Sequence, residues 1–280
     1  MMSDSKYIQK FDVSTTPLDK DEVRVLEKLI EAAKLISQVY QLQLGSNEKT
    51  NFYPKDASRA ELEKTASRDE QILSPYTVVE RNSEGKLEAI PYHVKYKDKL
   101  IPVAEKLEEA ANLTHNREFA NALVVQAKAL LDGSYEKAQI TWMKIKPYII
   151  QIVIGPIEPV EDEVFFTKRA YEAWVGVMDK DFTSRAVNFK DTVFTSRRLS
   201  PSDDKLDVAE KAQIRVDYVI VAAGHKARYR FTAATLPNDL DIIEKYGSET
   251  TIFLTSVREV FNQKHHPLFK AIFEAKFRQS

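Results

Sequence analysis

Between Asp21 and Leu44 apolar residues return every three or four positions: Val23, Leu26, Leu29, Ile30, Ala33, Ile36 and Tyr40. That spacing predicts one long amphipathic helix. Asp19 and Glu22 stand where a capping pair is needed, and Gly45 is placed to stop the helix in a left-handed turn. Ser58 and Glu61 repeat the capping pattern before a short helix. Two further helices are expected over 96–113 and 116–131. Leu100, Val103, Leu107 and Ala111 mark the buried face of the first, and Phe119, Leu123, Ala127 and Leu130 that of the second. Pro102 fits only a first turn, which argues for a later start to the 96–113 helix. Asp132-Gly133 should stop the second, and 135–145, with Trp142, forms a third.

Elsewhere the period is two, or the run is continuously apolar. "YTVVERNSEGKLEAIPYH" reads as a hairpin turning at Asn82-Ser83-Glu84-Gly85. "YIIQIVI" is apolar at both parities, as in a strand covered on both faces. "AYEAWVGVM" (170–178), "IRVDYVIVAA" (214–223), "RYRFTAATL" (228–236) and "TTIFLTS" (250–256) supply four more strands. Segment 180–212 is polar and weakly patterned, an excursion from the body of the fold. A last helix from Ser256 is interrupted by "HHP" at 265–267. Helices first and strands later predict an α+β fold.

With 280 residues, 43% of them hydrophobic, the chain makes one large domain or two modest ones. Its net charge of −1 argues against a nucleic-acid partner. No cysteine is present, which excludes disulfides and thiolate chemistry, and no apolar run approaches a membrane span. The N-terminus lacks the apolar core of a signal peptide, so a soluble, cytoplasmic protein is expected.

Candidate chemistry is sparse. No His-Glu-x-x-His, phosphate-binding glycine loop or Gly-x-Ser-x-Gly elbow occurs. The five histidines have no companion ligand at a diagnostic spacing and read as surface or capping side chains. In "HKARYRF" a strand would put Lys226, Arg228 and Arg230 on one face, to grip an anion or to blunt an exposed edge. More pointed is "IGPIEPVEDEVF", where Glu158, Glu161, Asp162 and Glu163 crowd behind the apolar strand. Such carboxylates suit a peptide α-amine, and they equally suit a solvated loop.

"NFYP", "YTVVERNSEGKLEAIPYH", "IQIVIGPIEPVEDEVFFTKRAYEAWV" and "LPNDLDIIEKYGS" come in the order, and near the spacing, of the dipeptidyl peptidase III family. From about Phe52 onward the chain resembles that family, most closely its bacterial and plant-type, Nudix-associated members. The resemblance implies a cytosolic zinc exopeptidase that takes dipeptides from the N-termini of short peptides. It implies two lobes around a cleft. One carries a barrel-like mixed sheet whose edge holds the substrate as an added strand. The other is helical, with His-Glu-x-x-x-His and a distant Glu holding zinc.

Against that pattern this sequence reaches Ser280 before the zinc motif, and it is shorter between Leu44 and Asn51. Zinc is therefore expected in full-length relatives and no cofactor in this chain. Where the family reads Glu-x-Tyr, Glu158 is kept, for the substrate amine, and Val160 replaces the Tyr that supports the reacting carbonyl. Where it reads Asn-x-Pro-Asn, Thr235 stands first and Asn238 last. Glu158, Asp162, Thr235 and Asn238 are thus the candidate substrate-binding residues, with no catalytic or metal residue.

The leading expectation is a single substrate-binding lobe over 1–280 that does not catalyse alone. Its segment 180–212 reaches toward a missing catalytic lobe, and 266–280 begins it. Two alternatives stand beside it. One is a fragment of an active zinc dipeptidyl aminopeptidase. The other is a pseudoenzyme that binds a protein partner through a sheet edge. Expected partners are short peptides with a free N-terminus and a missing catalytic lobe or a protein partner, with neither nucleic acid nor membrane.

Overall fold

The structure, a computed structural model, describes residues 6–11, 18–45, 49–197, 212–229 and 231–270. Helix α1 (Lys20–Gln43) opens on a full capping box: Asp19 accepts from the backbone N–H groups of Asp21 and Glu22, and Glu22 accepts from that of Asp19. It ends without a left-handed glycine. Leu44 is extended and bridges to Thr50, and the side chain of Asn51 packs where a Cβ on Gly45 would sit. Ser58 caps α2 (Arg59–Ala66). The predicted partner in that cap, Glu61, turns instead to the guanidinium of Arg81, at 2.9 and 3.0 Å, and so ties α2 to the strand that carries Arg81.

After β1 (Ile8–Lys10) the expected hairpin is formed by β2 (Thr77–Arg81) and β3 (Leu87–Pro91), antiparallel with Arg81 opposite Leu87. Arg81 is the last residue of β2. A single turn, α3 (Tyr92–Lys95), leads into α4 (Lys97–Leu113). This helix does not start late: it runs through Pro102. The proline gives up one hydrogen bond at a partly exposed position, while Leu100, Val103, Ala104 and Leu107 hold the helix by burial. Helix α5 (Arg117–Asp132) starts at the Asn116 cap and stops at Gly133, left-handed at φ 80°, before α6 (Tyr135–Lys144).

The main sheet is built from β4 (Ile150–Glu158), β5 (Ala170–Met178), β6 (Gln213–Gly224), β7 (Ala233–Leu236) and β8 (Glu249–Phe253). Its order is β4-β5-β6-β8-β7, with β1 beside the far half of β6. The β6–β8 pair is parallel and the rest antiparallel, so the sheet is mixed, and it curls into a half-barrel. This is the α+β, barrel-like architecture that the sequence and its resemblance imply. Helix α1 lies across β5 and β6, α4 packs on α1, and α5 packs on α4. One sheet face, with Ile152, Ile154, Tyr171, Ala173 and Val175, joins the helical core. The other parity, with Val153, Trp174, Val219, Leu236 and Phe253, forms a second cluster. Both parities of "YIIQIVI" are apolar because both faces are covered.

Helix α7 (Lys180–Arg197) occupies the first part of the polar excursion, and 198–211 lies outside the described residues. The strand expected from Arg228 begins only at Ala233. Before it, His225–Arg228 wind into a helical turn, α8. Gly224 makes that turn possible, with φ 64° and no room for a Cβ against the Tyr171 carbonyl oxygen. Then come α9 (Leu240–Tyr246) and α10 (Leu254–Val260). The helix is not broken at "HHP": a π-helical turn, Phe261–His265, precedes it and helix resumes over 266–270. The wider turn comes just before Pro267, which lacks an N–H to offer.

Candidate functional site

The acidic stretch after β4 is a built loop. Asp162 turns inward, and its Oδ1 accepts from the backbone N–H groups of Val164 and Phe165 at 3.1 and 3.2 Å. Its Oδ2 accepts from those of Thr167 and Lys168, both at 3.0 Å, and from the hydroxyls of Thr167 and Tyr53. Burial alone would raise this carboxyl, but the backbone bonds from Lys168, Thr167, Phe165 and Val164 outweigh it and hold it below its ordinary value. Phe166 sits on this loop at φ 58° and is 65% exposed. Lys168 closes the loop onto β2, donating to the Ser74 carbonyl and the Thr77 hydroxyl, and burial pulls its ammonium down to about 7. Glu163 alone behaves as a solvated acid, paired with exposed Lys49.

Glu161 leads from the loop into a cluster of buried charges. The Tyr40 hydroxyl donates to its Oε1 at 2.9 Å, and Arg228 Nη1 lies 3.3 Å from its Oε2. Burial pushes the Tyr40 phenol above its ordinary value, which keeps the donating proton in place. His225 stands between two acids: Nδ1 is 3.1 Å from Glu172 Oε2, and Nε2 is 3.4 Å from Glu161 Oε1. Lys226 Nζ lies 3.2 Å from Glu172 Oε1 and over the rings of Phe231 and Trp174, at 3.9 and 5.0 Å. Glu172 is wholly buried, and both its Oε1 and His225 Nε2 lack a hydrogen bond, although each has a charged or polar neighbour at ion-pair distance.

The candidate residues are distributed around this cluster. Half-buried Glu158 ends β4, beyond a bulge after Pro156, and its Oε1 accepts from Val160 N–H at 3.2 Å. One carboxylate oxygen each from Glu158 and Glu172 and one His225 nitrogen lie within 4.8 Å of one another. Asn238 donates to the Ile157 carbonyl at 3.1 Å, joining the chain after β7 to the end of β4. Thr235 faces away, sharing a hydrogen bond with Thr250 across β7 and β8. Val160 is 58% exposed. Asn238 lines a cavity of about 80 Å³ with Trp142, Tyr76 and Arg169, while Asp162 and Glu163 line one of about 300 Å³ with Tyr53 and Phe52. Glu158 lines neither.

Several expectations are therefore corrected. His225 is neither a surface nor a capping residue. Lys226 and Arg228 do not blunt a strand edge: they lie on a helical turn and pair with Glu172 and Glu161, while Arg230 lies outside the described residues. A solvated-loop reading of the acidic stretch fails for Glu161 and Asp162, which are buried. Glu172 was missed altogether. Its signal is present in "AYEAWVG", where a carboxylate shares the strand parity of Trp174 and so must enter the barrel side.

The curled half-barrel backed by helices, on which the acidic loop follows β4 and the charged cluster lies at the finish of β6, has the fold of a lobe already known in solved structures. Residues 4–198 match the model of peptidase family M49, and the chain belongs to that family. It is similar to the structure of DPP III from Caldithrix abyssi, with 25% identity and a TM-score of 0.83 over 92% of this chain and 59% of that one. It also shares its fold with dipeptidyl-peptidase III from Corallococcus sp. strain EGB: 23% identity, a TM-score of 0.79, and 91% and 58% coverage. Among curated proteins it is 27% identical over 251 residues to Nudix hydrolase 3 of Arabidopsis thaliana, covering 80% of this chain and 32% of that protein. The chain thus spans about a third of that relative and under two thirds of the two solved structures.

M49 peptidases are zinc enzymes. None of the five histidines here is followed by Glu, so these residues do not fit the family's His-Glu-x-x-x-His site. Among the described residues the nearest approach to a metal set is Glu158, Glu172 and His225, and there Lys226 already supplies a cation to Glu172. No described helix is long and apolar enough to cross a membrane.

Proposed function

We propose that this chain is the peptide-binding lobe of a dipeptidyl-peptidase-III-like zinc metallopeptidase, and that the 280 residues alone bind peptides without cleaving them. The observation that carries the reading is Glu158: a half-buried carboxylate at the end of β4, placed over a buried cluster of charges beside the Asn238–Ile157 junction. A peptide's α-ammonium docks on Glu158. Its backbone runs as an added strand along the free edge of β7, where Ala233 and Thr235 are exposed. Asn238 keeps the ends of β4 and β7 together, and Asp162 contributes by holding the loop shape rather than by touching the amine. Val160 offers no hydroxyl to a reacting carbonyl, which supports a binding role over a catalytic one. The setting is cytoplasmic, in keeping with a chain free of cysteine.

A second reading has an observation of its own. The chain covers 59% of the Caldithrix abyssi structure, and Phe189, Leu240, Leu268 and Phe269 are exposed apolar residues. A catalytic lobe docked from elsewhere would complete the cleft and restore zinc-dependent release of dipeptides.

One pair of measurements tests both. The chain is expected to bind a free-amine tetrapeptide, to bind the N-acetylated form at least about tenfold more weakly, and to release no dipeptide with or without Zn²⁺. Dipeptide release by this chain alone refutes the first reading. Equal binding of the acetylated peptide refutes the amine site.

A further inference from the structure

Along the free edge of β4 runs the cavity of about 80 Å³, walled by Tyr76 and by Trp142 of α6. Leu236, at the end of β7, and Asn238 beyond it close one side. The strand edge is already satisfied here. Gln126 of α5 donates to the Ile154 carbonyl at 2.8 Å, and Pro156 has no N–H to give. Space beside such an edge takes a side chain rather than an added strand. A dry cavity of about 150 Å³ can hold a benzene ring, so this smaller one suits a short chain of about four heavy atoms and no ring.

One cation lines it. Arg169 sits on the link from the acidic loop to β5, fixed by its backbone N–H, which donates to the Pro75 carbonyl at 2.9 Å. Its half-buried guanidinium reaches the Ile157 carbonyl at only 3.4 Å, and among the described residues no carboxylate lies at ion-pair distance from it. A guanidinium keeps its charge and offers several N–H donors in a planar fork, which leaves most of them for water or a ligand. The acid that lines the same cavity, Asp239, is occupied at the start of α9. Its Oδ1 accepts from the N–H groups of Asp241 and Ile242 at 3.0 and 3.2 Å. Its charge offsets part of that of Arg169, so a moderate attraction for anions remains.

We infer that this cavity selects peptides whose first residue is glutamate. The side-chain carboxylate pairs with Arg169, and its methylenes pack against Tyr76 and Trp142. Aspartate is one methylene shorter, and a lysine or arginine in first place meets a like charge. The inference rests on the proposed amine site and adds to it a substrate class and a specificity residue. With the α-ammonium on Glu158 and the backbone along β7, the first side chain leaves beside Ile157 and Asn238, which both line the cavity.

The whole chain is titrated at pH ~7, where the side chain of glutamate is ionised, with Glu-Ala-Ala-Ala, Gln-Ala-Ala-Ala and the acetylated form of each. Wild type is expected to bind the glutamate peptide about five- to tenfold more tightly than its glutamine isostere. In Arg169→Gln that ratio should fall to within about twofold. Arg169→Glu should reverse the charge preference, taking Lys-Ala-Ala-Ala ahead of Glu-Ala-Ala-Ala. Equal binding of the glutamate and glutamine peptides by wild type, with both free amines preferred to their acetylated forms, overturns this inference and leaves the amine site standing. That comparison needs no variant to fold. An acidic preference that survives in Arg169→Gln also overturns it, since the carboxylate then pairs elsewhere. Equal binding of free and acetylated peptides overturns the amine site, and this inference with it.

Discussion

The two ends of β6 are both charged and buried, and they resolve the same problem differently. At its start Arg215 and Asp217 pair at 2.7 Å, with Glu249 nearby on β8 bonded to Gln151 and Thr251. At its finish stand His225 and Lys226, with Glu172, Glu161 and Glu158. Among the described residues each set has one more carboxylate than fixed cations, counting Arg228 at the finish. At the start, burial pushes Asp217 up to about 6 against the pull of Arg215, and raises Glu249 too, so an acid absorbs the excess by holding its proton more tightly. Packing there is tight enough that a Cβ on Gly176 would come within 2.5 Å of Asp217 Oδ2. At the finish, Glu158 is half-buried and Arg228 partly exposed, so the cluster reaches solvent. A sealed cluster can only adjust its own protons. One with an opening can also meet charges from solvent or a ligand.

The largest effect that tests this contrast comes from Glu172→Ala. It leaves Lys226 buried without its carboxylate, and should cost about 3–5 kcal/mol in urea unfolding. A loss below about 1 kcal/mol would mean that Lys226 reaches water, and the finish of β6 would not be a buried cluster at all. Next is Gly224→Ala, which forces a side chain into a positive-φ position against the Tyr171 carbonyl. It should cost about 1–3 kcal/mol by straining the turn that carries Lys226. An unchanged midpoint would separate the turn from the cluster.

At the start of β6 the test is pH. Asp217 is raised above its ordinary 3.8, so its contribution to stability is fully present below that pH and is lost as pH rises through about 6. The fall in stability between pH ~4 and ~6 should be shallower in Asp217→Asn than in wild type. Parallel profiles would show that the excess charge there is carried by Glu249. The smallest structural effect is expected for Glu158→Gln, at the open side. Stability should stay within about 0.5 kcal/mol while affinity for a free-amine peptide drops at least about tenfold. A large loss of stability would place Glu158 among the sealed charges.

Much of the frame was legible before the structure. Helix α1 with its Asp19–Glu22 box, the β2–β3 hairpin, α5 with its Gly133 stop, and β4, β5, β6 and β8 follow from period, caps and turn residues, all of them local. The misreadings share a cause. "HKARYRF" alternates like a strand, but Gly224 turns the chain and burial of Lys226 against Glu172 rewards a helical turn. Pro102 looks like a helix boundary, but the apolar face of α4 outweighs one lost hydrogen bond. Of the candidate site, Glu158 and Asn238 were readable from the resemblance. His225 and Glu172 were not, because 53 residues separate them and no motif spacing links them.

The sequence by itself determined the membership of the chain in its family, its α+β order of elements, and the type of most of them, because apolar period, capping and turn chemistry act over a few residues. Only the tertiary structure decided which of the crowded carboxylates are solvated, which hold a loop and which face a cation. Whether a carboxylate is a solvent-facing charge or part of a site depends on the dielectric around it and on partners from distant elements. Here Tyr40 of α1 and the α8 turn meet Glu161, and Glu172 of β5 meets that same turn, only because the sheet curls and α1 lies across it.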